Sequence, residues 1–494
     1  MSIAHPAETP PSLLERARGL LIRAMTFYRD DPRTASWLRE RLERLDQPLR
    51  IAVTGRVKSG KSTLINALIG EELAPADAEE RTQVNTFFQY GPEPKITVHT
   101  PQGTVQNIPI TKLDVGTIRD LQRWRPDEVA RLVIEAPVPG LQAITLIETP
   151  GVSSSAVQET GRSALAQILS EADAVLYLTR HPHQTDIQFL QSVHELQVAR
   201  CAPINTIVTF SRADEAGSGG GDALPSAGRI AERYRNDPTV QCFAQHVIPV
   251  TGLLGHAAAS LTADEFTALQ ALAQLPRGDL EALMLSTDRF ANNPTPESVP
   301  TATRQHLLQR LGRYGVDFAL SSLLDGVGDL KQLKSALLEA SCLADLQEAL
   351  HQQFIERQEV LRARSILLAV EMVMRANPRQ GMQQLRGEFE RLVANAPEWD
   401  EMRLLSALSS GQVRFPRGLQ GEAQRLLGAQ GETAHSKLGQ VPDVLEADMA
   451  EEAGAALARW RDQSVNPMHD RKHREAVRTV LRSCERLIAQ QLQH

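Results

Sequence analysis

Ile51-Ala52-Val53-Thr54-Gly55-Arg56-Val57-Lys58-Ser59-Gly60-Lys61-Ser62-Thr63 is the stretch that decides the fold. A short β-prone run ends at one glycine, and a loop carries a second. Leu64-Ile65-Asn66-Ala67-Leu68-Ile69 then continues at helical spacing to Gly70. G-x-x-x-x-G-K-S/T between a strand and a helix is a phosphate-binding loop. Gly55 and Gly60 let backbone N–H groups turn inward around a polyphosphate, and the helix N-terminus adds a favourable dipole. Val57, Lys58, Ser59 and Thr63 complete the cradle. Lys61 reaches the β- and γ-phosphates, and the Ser62 hydroxyl is placed to ligate Mg²⁺. The loop specifies a nucleoside triphosphate and leaves the base open.

Outward from the loop, 494 residues suffice for two or more domains with a sizeable core. A net charge of −7 provides no basic field to attract nucleic acid. Cys201, Cys242, Cys342 and Cys484 form no C-x-x-C pair, which points to a reducing cytoplasm and away from zinc or disulfide scaffolds. Met1 to Pro11 lacks a signal pattern, and no run approaches the ~18–20 apolar residues of a spanning helix. The expectation is a cytoplasmic protein whose membrane contact, if any, is peripheral at the inner face of the plasma membrane.

Residues 12–46 read as two helices broken at Asp30-Asp31-Pro32. From 49 to about 255, β-rich runs alternate with helical patterns: Val84–Tyr90, Lys95–His99, Arg131–Ala136, Ile144–Ile147, Val175–Leu178, Thr206–Phe210 and Val247–Val250. That alternation predicts an α/β domain with a mostly parallel sheet and helices on both faces. Strand signals then vanish. Leu330 to Ala376 holds no proline or glycine and predicts one helix of roughly 70 Å. The α/β domain (49–290) is therefore expected to be inserted in an elongated all-α helical bundle stalk, built from residues 1–48 and 291–494.

Other loops read the nucleotide. Phe210-Ser211-Arg212-Ala213-Asp214 ends a strand where guanine-specific proteins carry Asn/Thr-Lys-x-Asp. The Asp214 carboxylate suits the adjacent N1–H and amine of guanine, and Arg212 can stack on the base. Since Ser211 and Arg212 depart from the pattern, adenine stays open at this point. Leu146-Ile147-Glu148-Thr149-Pro150-Gly151 supplies Glu148 to hold Mg²⁺ through water and Gly151 to sense the γ-phosphate with its amide. In Arg81-Thr82-Gln83-Val84-Asn85-Thr86, Thr82 is the first candidate for a switch threonine on Mg²⁺, and Thr86 the second. Val250-Thr251-Gly252 ends a strand where a base-packing loop belongs.

These motifs, in this order and flanked by helices on both sides, resemble the bacterial dynamin-like GTPases, most closely the mycobacterial isoniazid-inducible group. The resemblance rests on Ile51–Leu68, Arg81–Gly91, Ser211–Glu215, Pro249–Leu254 and the helical segment from Gly326. It implies hydrolysis of GTP to GDP and phosphate with Mg²⁺, and self-association through the GTPase heads, with a paralogous dynamin-like protein as a further candidate partner. It also implies binding and remodelling of membrane. In that family the positions of Val57 and Lys58 carry a polar residue that organises the attacking water and a residue that helps bind a monovalent cation. Val57 cannot orient water, so slow turnover is expected, with the Lys58 ammonium in place of the cation.

One segment reads as a membrane tip. Residues 362–375 end the predicted long helix, apolar on most sides and flanked by arginines. Ile366, Leu367, Val370 and Met374 are candidates to enter the headgroup boundary, with Arg375 and Arg379 meeting anionic lipid, and the tip near 365–382. Three functions compete: a membrane mechanoenzyme, a regulatory switch acting through a protein partner, and a ribosome-associated GTPase. The acidic charge argues against the last, and the predicted lever favours the first.

Overall fold

The computed structural model of the chain describes residues 11–75, 84–108, 110, 115–122, 127–151, 171–180, 186–188, 190, 205–217, 221–241, 243, 244, 246–409, 411–441 and 445–491. Thr82, the first switch candidate, lies outside them.

Nine strands form one sheet: β1 Leu49–Gly55, β2 Asn85–Tyr90, β3 Lys95–His99, β4 Val105–Ile108, β5 Arg131–Ala136, β6 Ile144–Glu148, β7 Ala174–Thr179, β8 Thr206–Ser211 and β9 Val247–Val250. Their spatial order is β4-β3-β5-β2-β6-β1-β7-β8-β9. The run β6-β1-β7-β8-β9 is parallel throughout. All residues of β7 and β8 are buried, the burial expected of parallel strands covered on both faces. The other wing mixes directions: β2 runs antiparallel to β6, and β3 runs antiparallel to both β4 and β5. Ligands of open α/β sheets gather beyond the carboxyl ends of the parallel strands, and the ends of β6, β1, β8 and β9 converge there.

Two helices precede the sheet, Leu13–Phe27 and Pro32–Glu43. The first opens with a capping box between Ser12 and Glu15, and Asp31 caps the second. Leu13–Phe27 packs on the helix Gln358–Ala376. The Tyr28 hydroxyl donates to the Asn377 carbonyl at 2.9 Å, and Arg379 pairs with Asp30 at 2.5 Å. The segments before and after the α/β domain thus join in one helical body.

The single 70 Å helix is not there. Leu330–Ala340, Leu343–Leu350, a π turn His351–Ile355 and Gln358–Ala376 replace it. Cys342 breaks the first junction with φ +54°. No local breaker residue explains this; tertiary docking does. The Ser341 carbonyl accepts from the Thr251 N–H at 3.1 Å, and Leu343 seats against Gly255 of the helix Gly252–Ser260. Those contacts hold the chain at the end of β9 and turn it.

The membrane tip at 365–382 is also corrected. Ile366, Leu367, Val370 and Met374 are buried. Ser365 donates to Asp173 Oδ1 at 2.8 Å, and Asp173 Oδ2 accepts from the N–H of Arg50 on β1 at 3.1 Å. Leu368 packs with Val175, Tyr177, Val208 and Val247 of the sheet. The all-round apolar character of this helix reflects neighbours on several sides, since it is wedged between the Leu13–Phe27 helix and the α/β domain. Arg375 pairs with Glu371 on its own helix, and the Arg379 guanidinium covers the Tyr28 ring at 5.0 Å.

Beyond it, Pro397–Ser409, Arg417–Leu426, Glu446–Ser464 and Arg471–Gln491 pack around Trp399 and Trp460, both fully buried. Among the described residues no helix is long and apolar enough to cross a membrane.

Candidate functional site

The phosphate loop leaves β1 and enters the helix Lys61–Ile69 through Gly60, whose φ of +88° starts the helix. Lys61 is nearly buried, and its ammonium donates to the Arg56 carbonyl at 3.2 Å across the loop. Burial lowers its pKa, opposed by the nearby Glu148 carboxylate. Such a desolvated amine gains most when a phosphate arrives. Lys58 adopts φ +64° with its side chain exposed.

β6 delivers the second motif beside the loop. Glu148 is buried and accepts from the Ser62 hydroxyl at 2.5 Å. Thr86 of β2 pairs with Glu148 in register. A hydroxyl and a carboxylate in contact are a donor set that suits Mg²⁺, which takes one or two protein oxygens and completes its octahedron with water and phosphate. Gly151 passes so close to the loop that a Cβ there would lie 2.6 Å from Val57 Cγ2 and 2.9 Å from Val57 Cα. Val57 therefore presents methyl groups beside the amide expected to sense the γ-phosphate.

A pocket of about 280 Å³ opens between the loop and the ends of β8 and β9. Ser59, Gly60 and Thr63 line one side; Ser211, Arg212, Asp214, Gly252 and Leu253 line the other. Arg212 holds φ +54° and donates to Glu215 Oε1 at 2.6 Å. Burial raises the Asp214 pKa above the ordinary carboxylate value, with Glu215 adding to it and Arg212 opposing. Thr251 is buried behind the pocket, at the start of the helix Gly252–Ser260. Three buried hydroxyls around the pocket, on Ser59, Thr209 and Ser211, have no hydrogen-bond partner among the described residues. Buried polar atoms left unpaired are uncommon and mark a place where a polar ligand completes the structure.

The structure thus brings together Gly55 to Thr63, Glu148, Gly151, Ser211, Arg212, Asp214, Thr251 and Gly252. Two participants were not read from the sequence. Arg180, just after β7, donates to the Lys58 carbonyl at 2.7 Å and pairs with Glu215 at 3.5 Å, linking the phosphate and base loops. Gln309 enters the pocket from far along the chain. Neither lies in a motif: the place of β7 in the sheet sets Arg180, and the docking of the helix Thr301–Leu324 sets Gln309.

The model of the dynamin family matches residues 51–208, the span that carries this site up to β8. The chain is 33% identical over 454 residues to the isoniazid-induced protein IniC of Mycobacterium tuberculosis, covering 90% of this chain and 91% of that one. The chain belongs to the dynamin family. As a dynamin-like GTPase it binds and hydrolyses GTP. A bacterial dynamin-like protein of Nostoc punctiforme is 32% identical over 142 residues, 26% of this chain and 20% of that one. A solved structure of an oligomerised bacterial dynamin pair aligns over 99% of this chain and 76% of that one, at 16% identity and a TM-score of 0.32.

Proposed function

We propose that this dynamin-like GTPase uses Mg²⁺ to hydrolyse GTP slowly and couples the cycle to peripheral contact with an anionic membrane. When bound, the metal neutralises charge between the β- and γ-phosphates and orients them; Ser62 and, through water, Glu148 would hold it. Lys61 contributes its amine at the phosphates. The Gly151 amide orders on the γ-phosphate. The Val57 methyl groups cannot position water, so charge stabilisation by Lys61 and Lys58 carries more of the barrier. Head-to-head self-association across the nucleotide cleft follows the family pattern.

One observation supports the membrane half of this reading. Val465 and Met468, 79% and 88% exposed, are the two most exposed large apolar residues described. They sit in the turn between the helices Glu446–Ser464 and Arg471–Gln491, beside exposed Arg471, Lys472 and Arg474. The other end of that second helix pairs Arg486 with Glu401. At 1.5 Å per residue the turn is therefore about 22 Å further along the bundle. Apolar tips flanked by cations, on a protein of net charge −7, suit the boundary of an anionic bilayer.

Flotation with liposomes rich in phosphatidylglycerol tests it. The protein should float with them and not with neutral vesicles, and Val465→Glu plus Met468→Glu should lose at least tenfold of that binding. A folded wild-type protein that fails to float would remove the membrane reading and leave a switch acting on a protein partner.

A further inference from the structure

We propose that Gln309, carried on the helix Thr301–Leu324 outside every nucleotide motif, reads the guanine base alongside Asp214. The inference rests on guanine being the base.

Gln309 lines the pocket with Ser211, Asp214 and Leu253. Its helix is held firmly there. Leu307 and Leu311, on either side of it, are fully buried. The next residue, Arg310, donates to Ser260 Oγ at 2.6 Å and to Glu265 Oε1 at 3.1 Å. That anchors the helix to the elements that follow β9. Glu265 is itself fixed by the Thr262 cap.

The helix also comes unusually close to the base loop. A Cβ on Gly315 would lie 2.7 Å from Leu254 Cδ2. At Gly312 it would lie 3.2 Å from Leu253 Cδ1 and 3.8 Å from Asp214 Oδ2. Gly312 interrupts the helix with φ +70° and ψ 175°, a conformation open to glycine. Gln309 stands one turn before this kink, so the approach that places Gly312 against Asp214 carries the carboxamide to the rim of the same pocket.

Chemistry gives it a task there. Asp214 is acceptor-only and takes N1–H and one hydrogen of the exocyclic amine. The second amine hydrogen then needs an acceptor. Ser211 and Arg212 occupy the places of the usual Asn/Thr and Lys: the unpaired Ser211 hydroxyl lines the pocket at the end of β8, and Arg212 is engaged with Glu215. The Gln309 carbonyl is an uncharged acceptor on the helix that closes the pocket beside Asp214. A carboxamide serves better than a second carboxylate, which would repel Asp214. The base thereby touches a helix of the C-terminal part of the chain directly.

The test compares GDP with inosine diphosphate, which lacks the exocyclic amine, by isothermal titration on full-length wild type and Gln309→Ala. Wild type should prefer GDP. The variant should lose about fivefold to tenfold for GDP and little for inosine diphosphate, narrowing the ratio. Gln309→Leu, which keeps the bulk, should behave alike, and both should match wild type in apo thermal unfolding. Equal losses for the two nucleotides would assign Gln309 to the ribose or to packing, and no loss would remove it from the site; either result overturns the proposal. A wild type without preference for GDP over ADP would instead overturn guanine as the base.

Discussion

The two ends of the nucleotide site are built in different ways. The phosphate end is almost one contiguous piece: Gly55 to Thr63 supplies the loop, the lysine and the hydroxyl, and β6 adds Glu148 from the neighbouring strand. The base end is assembled from β8, the start of the helix after β9, and a helix some hundred residues beyond Ser211. Backbone N–H groups and a dipole grip a phosphate and need only a fixed local conformation. A base offers flat faces and an edge of donors and acceptors, so it must be enclosed from several directions. Chemistry at the first end should therefore be sensitive to single residues, and recognition at the second spread over several.

The sharpest test of that contrast is Lys61→Ala. It removes the one ammonium buried in the phosphate loop and should lower GTP hydrolysis by roughly 10²–10³-fold in a phosphate-release assay. A variant within a few fold of wild type would break the comparison, because the phosphate end would then be redundant.

Asp214→Asn comes next. Losing a carboxylate that accepts two donors should weaken GDP by about a hundredfold, near 3 kcal/mol, in a fluorescent-nucleotide titration. The same assay run against pH sharpens it. Burial raises the Asp214 pKa in the free protein, and the proposed contact with guanine needs the ionised form. Affinity should hold at neutral pH and fall as pH drops, starting above the ordinary carboxylate range; Asp214→Asn should lack that limb.

The smallest effect belongs to Lys58→Ala. If its ammonium replaces a monovalent cation, kcat should fall about tenfold, with GDP affinity unchanged, and the wild type should turn over without K⁺. A wild type that requires K⁺ would return the role to a bound ion and make the phosphate end depend on more than its own residues.

Much of the fold was legible because strands of a parallel sheet are buried on both faces and read as uninterrupted apolar runs. β7 and β8 do so, and the predicted runs fall within a residue of the observed strands. β4 escaped notice because Val105–Ile108 is an exposed edge strand with no apolar face. The helical region was harder. Leu330 to Ala376 has flawless helical composition, yet it breaks at Cys342, where Ser341 and Leu343 dock on the element that follows β9. The apolar face of Gln358–Ala376 looked like a membrane tip because hydrophobicity has no address: the same side chains serve a bilayer or a core.

By itself, the sequence determined the local chemistry of this protein. Strand, glycine loop and helix fix their own conformation, so triphosphate binding and the roles proposed for Lys61, Ser62 and Asp214 are read from adjacent residues. The tertiary structure alone decided what lies next to what. It buried Ile366 to Met374, exposed Val465 and Met468, and carried Gln309 to the pocket that holds Asp214. Those outcomes depend on which surfaces meet after the chain has folded back on itself, and helical periodicity records only that a face must be covered, not by what.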